Sequence, residues 1–181
     1  KRPERIVSLF APHREMIRKG KAGKSKEFGK MVKIQEAENQ IRTDYEVFAR
    51  RPSDSDLLVE SVARHEKRLG RVPYLSAADA GFYSMANEKK LQEMGVKRVS
   101  VPNRKTQSAS RRQFQKQRWF KNGQRWRTGC EGRISVLKRR HGLNRSRYRG
   151  EDGMQRWVGL GVIADNRINM GRLMALRASP T

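Results

Sequence analysis

Between Arg104 and Arg149 the chain carries sixteen Lys and Arg and a single acidic residue, Glu131. A stretch this basic can meet a core only along a narrow apolar stripe. A helical period fits from about Ser110 to Arg140. At about 100° per residue, Trp119, Gly123, Trp126, Cys130, Ile134 and Leu137 cluster on one face. Gln124, Arg127, Glu131, Ser135 and Lys138 form a polar stripe beside it. The spacing therefore predicts that Glu131 lies at the edge of the core, where a carboxylate can point into a cleft. Gly123, Gly129 and Gly132 weaken the helical period. Spacing alone also fits a plainer reading, because Arg127 and Glu131 form an i, i+4 pair of the kind that decorates helix surfaces. Cys130 and the tryptophans fall on the apolar face and read as core residues.

The balance of charge points to a polyanionic partner. The 181 residues carry a net charge of +24, with a pI near 11.2. Cations hold phosphates, and a carboxylate among them can hold a metal that acts on a phosphodiester. Apolar residues are spread along the whole length, as a folded chain requires. One cysteine excludes an internal disulfide and any multi-cysteine zinc site, and it fits a reducing cytosol. The best apolar run, Trp157 to Leu176, is interrupted by Asp165, Asn166, Arg167, Asn169 and Arg172, so no membrane span is expected.

The remaining elements alternate. Residues 1–26 read as a basic N-terminal segment, with a short strand at Ile6 to Phe10 and a lysine-rich loop from Lys19 to Lys26. Met31 to Gln35 and Ile41 to Phe48 read as strands joined through Glu38, Asn39 and Gln40. Pro52 to Asp56 caps a helix bearing Leu57, Leu58, Val62 and Leu69 and ending at Gly70. Tyr74 to Asp79 reads as a buried strand, Ser84 to Met94 as a helix closed by Gly95, and Arg98 to Val101 as a strand stopped by Pro102. This order predicts an α/β fold on a mixed sheet flanked by helices. The expected divisions are 1–26, a core over 27–150, and a C-terminal helix over 151–181 that packs on it. Asp79 ends its strand and is followed by Ala80 and Gly81, a position from which a carboxylate can face a ligand cleft. A turn or cap aspartate fits the same position.

Two blocks carry a resemblance. Gln124-x2-Arg127-x3-Glu131-x6-Lys138 resembles the Y-x2-R-x3-E-x6-K signature of DDE transposases from bacterial insertion sequences. Asp79-Ala80-Gly81-Phe82-Tyr83 resembles their second catalytic block. Arg5 to Phe10, Pro52 to Leu58 and Glu131 to Gly150 look like the ISNCY-type branch. The resemblance implies a ribonuclease H-like fold in which Asp79 and Glu131 are catalytic acids that bind Mg²⁺ or Mn²⁺, two ions in the complete site. It implies that Arg127 and Lys138 hold double-stranded DNA at the transposon end, with Gln124, Arg133, Arg139 and Arg140 as further DNA contacts. Metal-assisted phosphodiester hydrolysis and strand transfer would follow, in a bacterial, cytoplasmic, nucleoid-associated protein that pairs as a homodimer in a synaptic complex.

Two departures stand against the family pattern. Gln124 occupies the signature tyrosine position, and an amide can donate to phosphate but cannot stack. The family's first Asp, on the first strand, is not found: Asp44 lies on a later strand, and Asp54 and Asp56 read as helix-start residues. The expectation is that this strand lies upstream of Lys1, and that the chain is inactive without it. Asp79 and Glu131 should then lie roughly 4–8 Å apart, the reach of a shared pair of metal ions. Alternative readings are a non-catalytic basic nucleic-acid-binding remnant and a nuclease on the same fold.

Overall fold

The computed structural model describes residues 15–18 and 26–178. The expected strand at Ile6 to Phe10 and most of the lysine-rich loop lie outside the described residues. Two short strands, β1 (Glu15–Arg18) and β2 (Lys26–Gly29), pair antiparallel.

Next comes the hairpin, β3 (Val32–Glu36) and β4 (Arg42–Val47). It pairs Val32 with Val47 and Ile34 with Tyr45, so the β-branched and aromatic residues meet across one face. The Glu38–Gln40 turn puts Asn39 and Gln40 at positive φ, which lets the chain reverse within a few residues. The opposite face carries charge. Lys33 pairs with Glu46 at 2.8 Å, and Asp44 is fully buried against Arg64 and Arg68 of the following helix, at 2.7 and 2.8 Å. That helix is α1 (Asp54–Leu69), which ends at Gly70 with φ +69, the left-handed conformation that glycine adopts without strain.

β5 (Leu75–Ala77) pairs parallel with β6 (Arg98–Ser100), and α2 (Met85–Glu93) makes the crossover between them. Ser84 caps α2 by accepting from the Asn87 amide at 3.0 Å. The main core is built here. Leu58 and Val62 of α1 pack with Leu91, Val96, Val99 and Val101. Burying each such side chain is worth about 1.5–3 kcal/mol. β5 itself is only half-buried, and Tyr74 before it is exposed, so the strand is less interior than its composition suggests. Likewise Leu69 faces solvent at the end of α1. The α/β class holds, but among the described residues the strands form three separate two-stranded ladders in place of one mixed sheet.

The long basic helix is two helices. α3 (Ala109–Lys116) and α4 (Arg118–Arg140) are separated at Gln117, whose backbone is extended at ψ 142. No Gly or Pro marks the break. The cause is aromatic packing: Phe114, Trp119 and Phe120 meet edge to face with centroids 5.4 to 5.8 Å apart. On one continuous helix Phe114 and Phe120 would point about 120° apart. Breaking the helix brings both rings to one cluster and buries Phe120. α4 then turns Phe120, Gly123 and Leu137 inward, with Trp126, Cys130 and Ile134 half-buried beside them.

α5 (Gly150–Ala178) lies along β4 and closes the hairpin's free edge. Asn166 accepts from the Arg42 amide at 2.8 Å and donates to its carbonyl at 2.9 Å, doing what a neighbouring strand would do. Gly159 is required beneath Tyr45, because a Cβ there would collide with the tyrosine hydroxyl. Arg42 is buried between Glu36 at 2.9 Å and Asp165 of α5 at 3.0 Å. No helix among the described residues is long and apolar enough to cross a membrane.

Candidate active site

Asp79 stands two residues beyond the end of β5. Its backbone is extended, and it caps the short Ala80–Phe82 turn: Oδ1 accepts from the Ala80 amide at 3.1 Å. The cap interaction that the sequence allows is therefore present, yet it uses one carboxylate oxygen. The other accepts from Arg127 at 2.9 Å. Gly81 leaves room for Asp54 at the start of α1, since a Cβ at 81 would lie 2.9 Å from the Asp54 carboxylate.

α4 is clamped to the strand ends one turn before Arg127. Ser100, fully buried, donates to the Phe120 carbonyl at 2.9 Å. Gly123 lies against Ser100 so closely that an added Cβ would come within 2.9 Å of it. The Gln124 amide nitrogen donates to the carbonyls of Ala78 and Ser100 and contacts the Ser100 hydroxyl at 3.1 Å. Gln124 therefore ties the helix to both strands immediately before Asp79. In this arrangement its donor is spent on backbone carbonyls, away from the surface.

Arg127 follows, and it bridges the two expected acids. One guanidinium nitrogen is 2.9 Å from Asp79, and the other is 3.0 Å from Glu131. The i, i+4 pair is thus real, but it is half of a three-residue arrangement. Asp79 and Glu131 face a common point, with side chains 41% and 63% exposed. Carboxylates supply hard oxygen donors, the kind that divalent cations of the Mg²⁺ and Ca²⁺ type take. No cluster of three or more His, Cys, Asp or Glu that could hold a metal occurs among the described residues. Asp44, on β4, is spent on Arg64 and Arg68, and Asp54 and Asp56 begin α1.

The remaining cations divide. Lys138, Arg139 and Arg140 are exposed in the last turn of α4. They can meet a polyanion there, and they also complement the negative end of the helix. Arg133 points inward instead. It pairs with the buried Glu36, donates to the Trp126 carbonyl at 3.3 Å, and contacts Cys130 at 2.9 Å. Burial, followed by the Glu36 charge, pushes the Cys130 thiol up, so it stays protonated and behaves as a core residue. The sequence reading did not find the Glu36–Arg42–Asp165 network. Its signals were Arg42 on a strand and Asp165 within an otherwise apolar run.

A family model described as Transposase DDE domain matches residues 87–173. The span runs from α2 into α5 and holds Arg127, Glu131 and Lys138, with Asp79 just outside it. No curated protein and no solved structure matches the chain. The match covers just under half of the chain, which over that span is similar to the DDE domain of transposases.

Proposed function

We propose that this chain carries a ribonuclease H-like DDE catalytic site, with Asp79 and Glu131 as metal-binding acids in DNA cleavage and strand transfer. The observation that carries the reading is the shared guanidinium. Two carboxylates 52 positions apart in sequence converge on Arg127, inside an otherwise basic surface. Gln124 and Gly123 hold the helix at the strand ends, so the convergence follows from the packing of α4.

Bound by Asp79 and Glu131, Mg²⁺ or Mn²⁺ would supply Lewis-acid stabilisation of the attacking and leaving oxygens. Arg127 pairs with both carboxylates until a phosphate arrives. Its planar fork then suits bidentate transfer to phosphate oxygens, which frees the acids. Lys138, Arg139 and Arg140 hold backbone phosphates along the same helix. A third carboxylate completes the acid set in this reading.

The test is strand transfer by the full-length protein with transposon-end DNA and Mg²⁺. Glu131→Gln is expected to lower activity by about 100-fold or more while DNA binding persists. Unchanged activity in that variant would refute the assignment. One observation favours a second reading, a DNA-binding remnant without catalysis: both acids already pair with Arg127. That reading expects salt-sensitive binding, no metal-dependent cleavage, and indifference to Glu131→Gln.

A further inference from the structure

A cleft of about 710 Å³ runs between α5 and the loop that leads into it. Arg147, Arg149 and Arg156 line it, and Leu160 and Ile163 form an apolar wall. Among the described residues none of these three arginines makes an ion pair. A single carboxylate, Asp152, also lines the cleft, so cations prevail. Leu160 and Ile163 are exposed on a helix whose other side is buried against the hairpin.

Tyr148 lines the same cleft. Its ring meets Trp157 edge to face at 5.6 Å, and Trp157 is anchored by donating to the Gly142 carbonyl at 3.1 Å. Ser146 fixes the Tyr148 backbone from both sides, accepting from its amide at 3.2 Å and donating to its carbonyl at 3.0 Å. The tyrosine is held in place and still 49% exposed. Cations that can take phosphates, a fixed aromatic ring and an apolar wall together fit a nucleotide whose base is not paired. A duplex offers phosphates but hides its base faces, so it would leave the ring and the wall without partners.

We propose that this cleft holds unpaired nucleotides of a DNA strand, with a base against Tyr148 and phosphates on Arg147, Arg149 and Arg156. The proposal rests on the action on DNA argued above. Fluorescence anisotropy with labelled oligothymidylate and a labelled duplex tests it. Tyr148→Ala is expected to weaken oligothymidylate binding about 5- to 50-fold and duplex binding about twofold or less. Tyr148→Phe, which keeps the ring, should bind both as the wild type does. Replacing Arg147 and Arg149 by Gln should flatten the salt dependence for oligothymidylate by about 0.7 per arginine. Equal losses for both DNA forms in Tyr148→Ala, or an equally large loss in Tyr148→Phe, would overturn the site. Binding of duplex without binding of oligothymidylate overturns the cleft and leaves the proposed function standing. Absence of binding to either DNA overturns both.

Discussion

Gly123 and His65 show how single residues set the conditions under which this fold holds. Gly123 lets α4 approach β6 at Ser100, and a methyl group there would lie 2.9 Å from the serine side chain. Gly123→Ala should therefore destabilise the chain by about 1–3 kcal/mol, read as a lower urea midpoint. The substitution should also loosen the Gln124 contacts next to it. His65 is buried on α1, and its imidazole is held below the ordinary value of 6.5, first by burial and then by the Arg71 charge. The folded state binds this proton more weakly than the unfolded chain does. Stability is therefore fully present above pH 6.5 and is lost as pH falls from there toward the lower folded value. Urea titrations at about pH 7.5 and about pH 5.5 should show that loss, and it should be smaller in His65→Leu.

At the scale of elements, the hairpin is joined to α5 by buried charge. The Arg42, Glu36 and Asp165 side chains are only 2%, 6% and 5% exposed. Arg42→Met would remove the cation shared by two buried carboxylates, which keep Arg133 and Asn169 as partners, and should cost about 1–3 kcal/mol. Chemical denaturation would measure it, and a change below about 1 kcal/mol would mean that the network carries little. Much of the hairpin was legible, because Val32, Ile34, Tyr45 and Val47 alternate and the Glu38–Gln40 turn separates them. The limits of α1 were legible for the same local reason, an acidic first turn and a left-handed glycine at the end. The break at Gln117 was not, since it comes from rings that meet only after α3 and α4 pack together.

Over the whole molecule, the +24 charge predicts binding to DNA that weakens steeply with salt. If the last turn of α4 contacts phosphates, replacing Lys138, Arg139 and Arg140 by Ala should lower the salt slope by about 2–3. An unchanged slope would assign those cations to the helix end alone. The candidate site shows where local and long-range information part. Helix periodicity placed Arg127, Glu131 and Lys138 along one stripe, and strand punctuation placed Asp79 at a turn. It did not show that Arg133, two residues from Glu131, swings inward to Glu36, or that Gln124 spends its donor on Ala78 and Ser100. The sequence by itself determined the hairpin, the limits of α1, the basic surface and the candidate acids, because these depend on neighbours within a few residues. Only the tertiary structure decided that Asp79 and Glu131 meet at one guanidinium. That meeting requires α4 to seat against β5 and β6, and the closeness of that seating is set by side-chain packing across the chain.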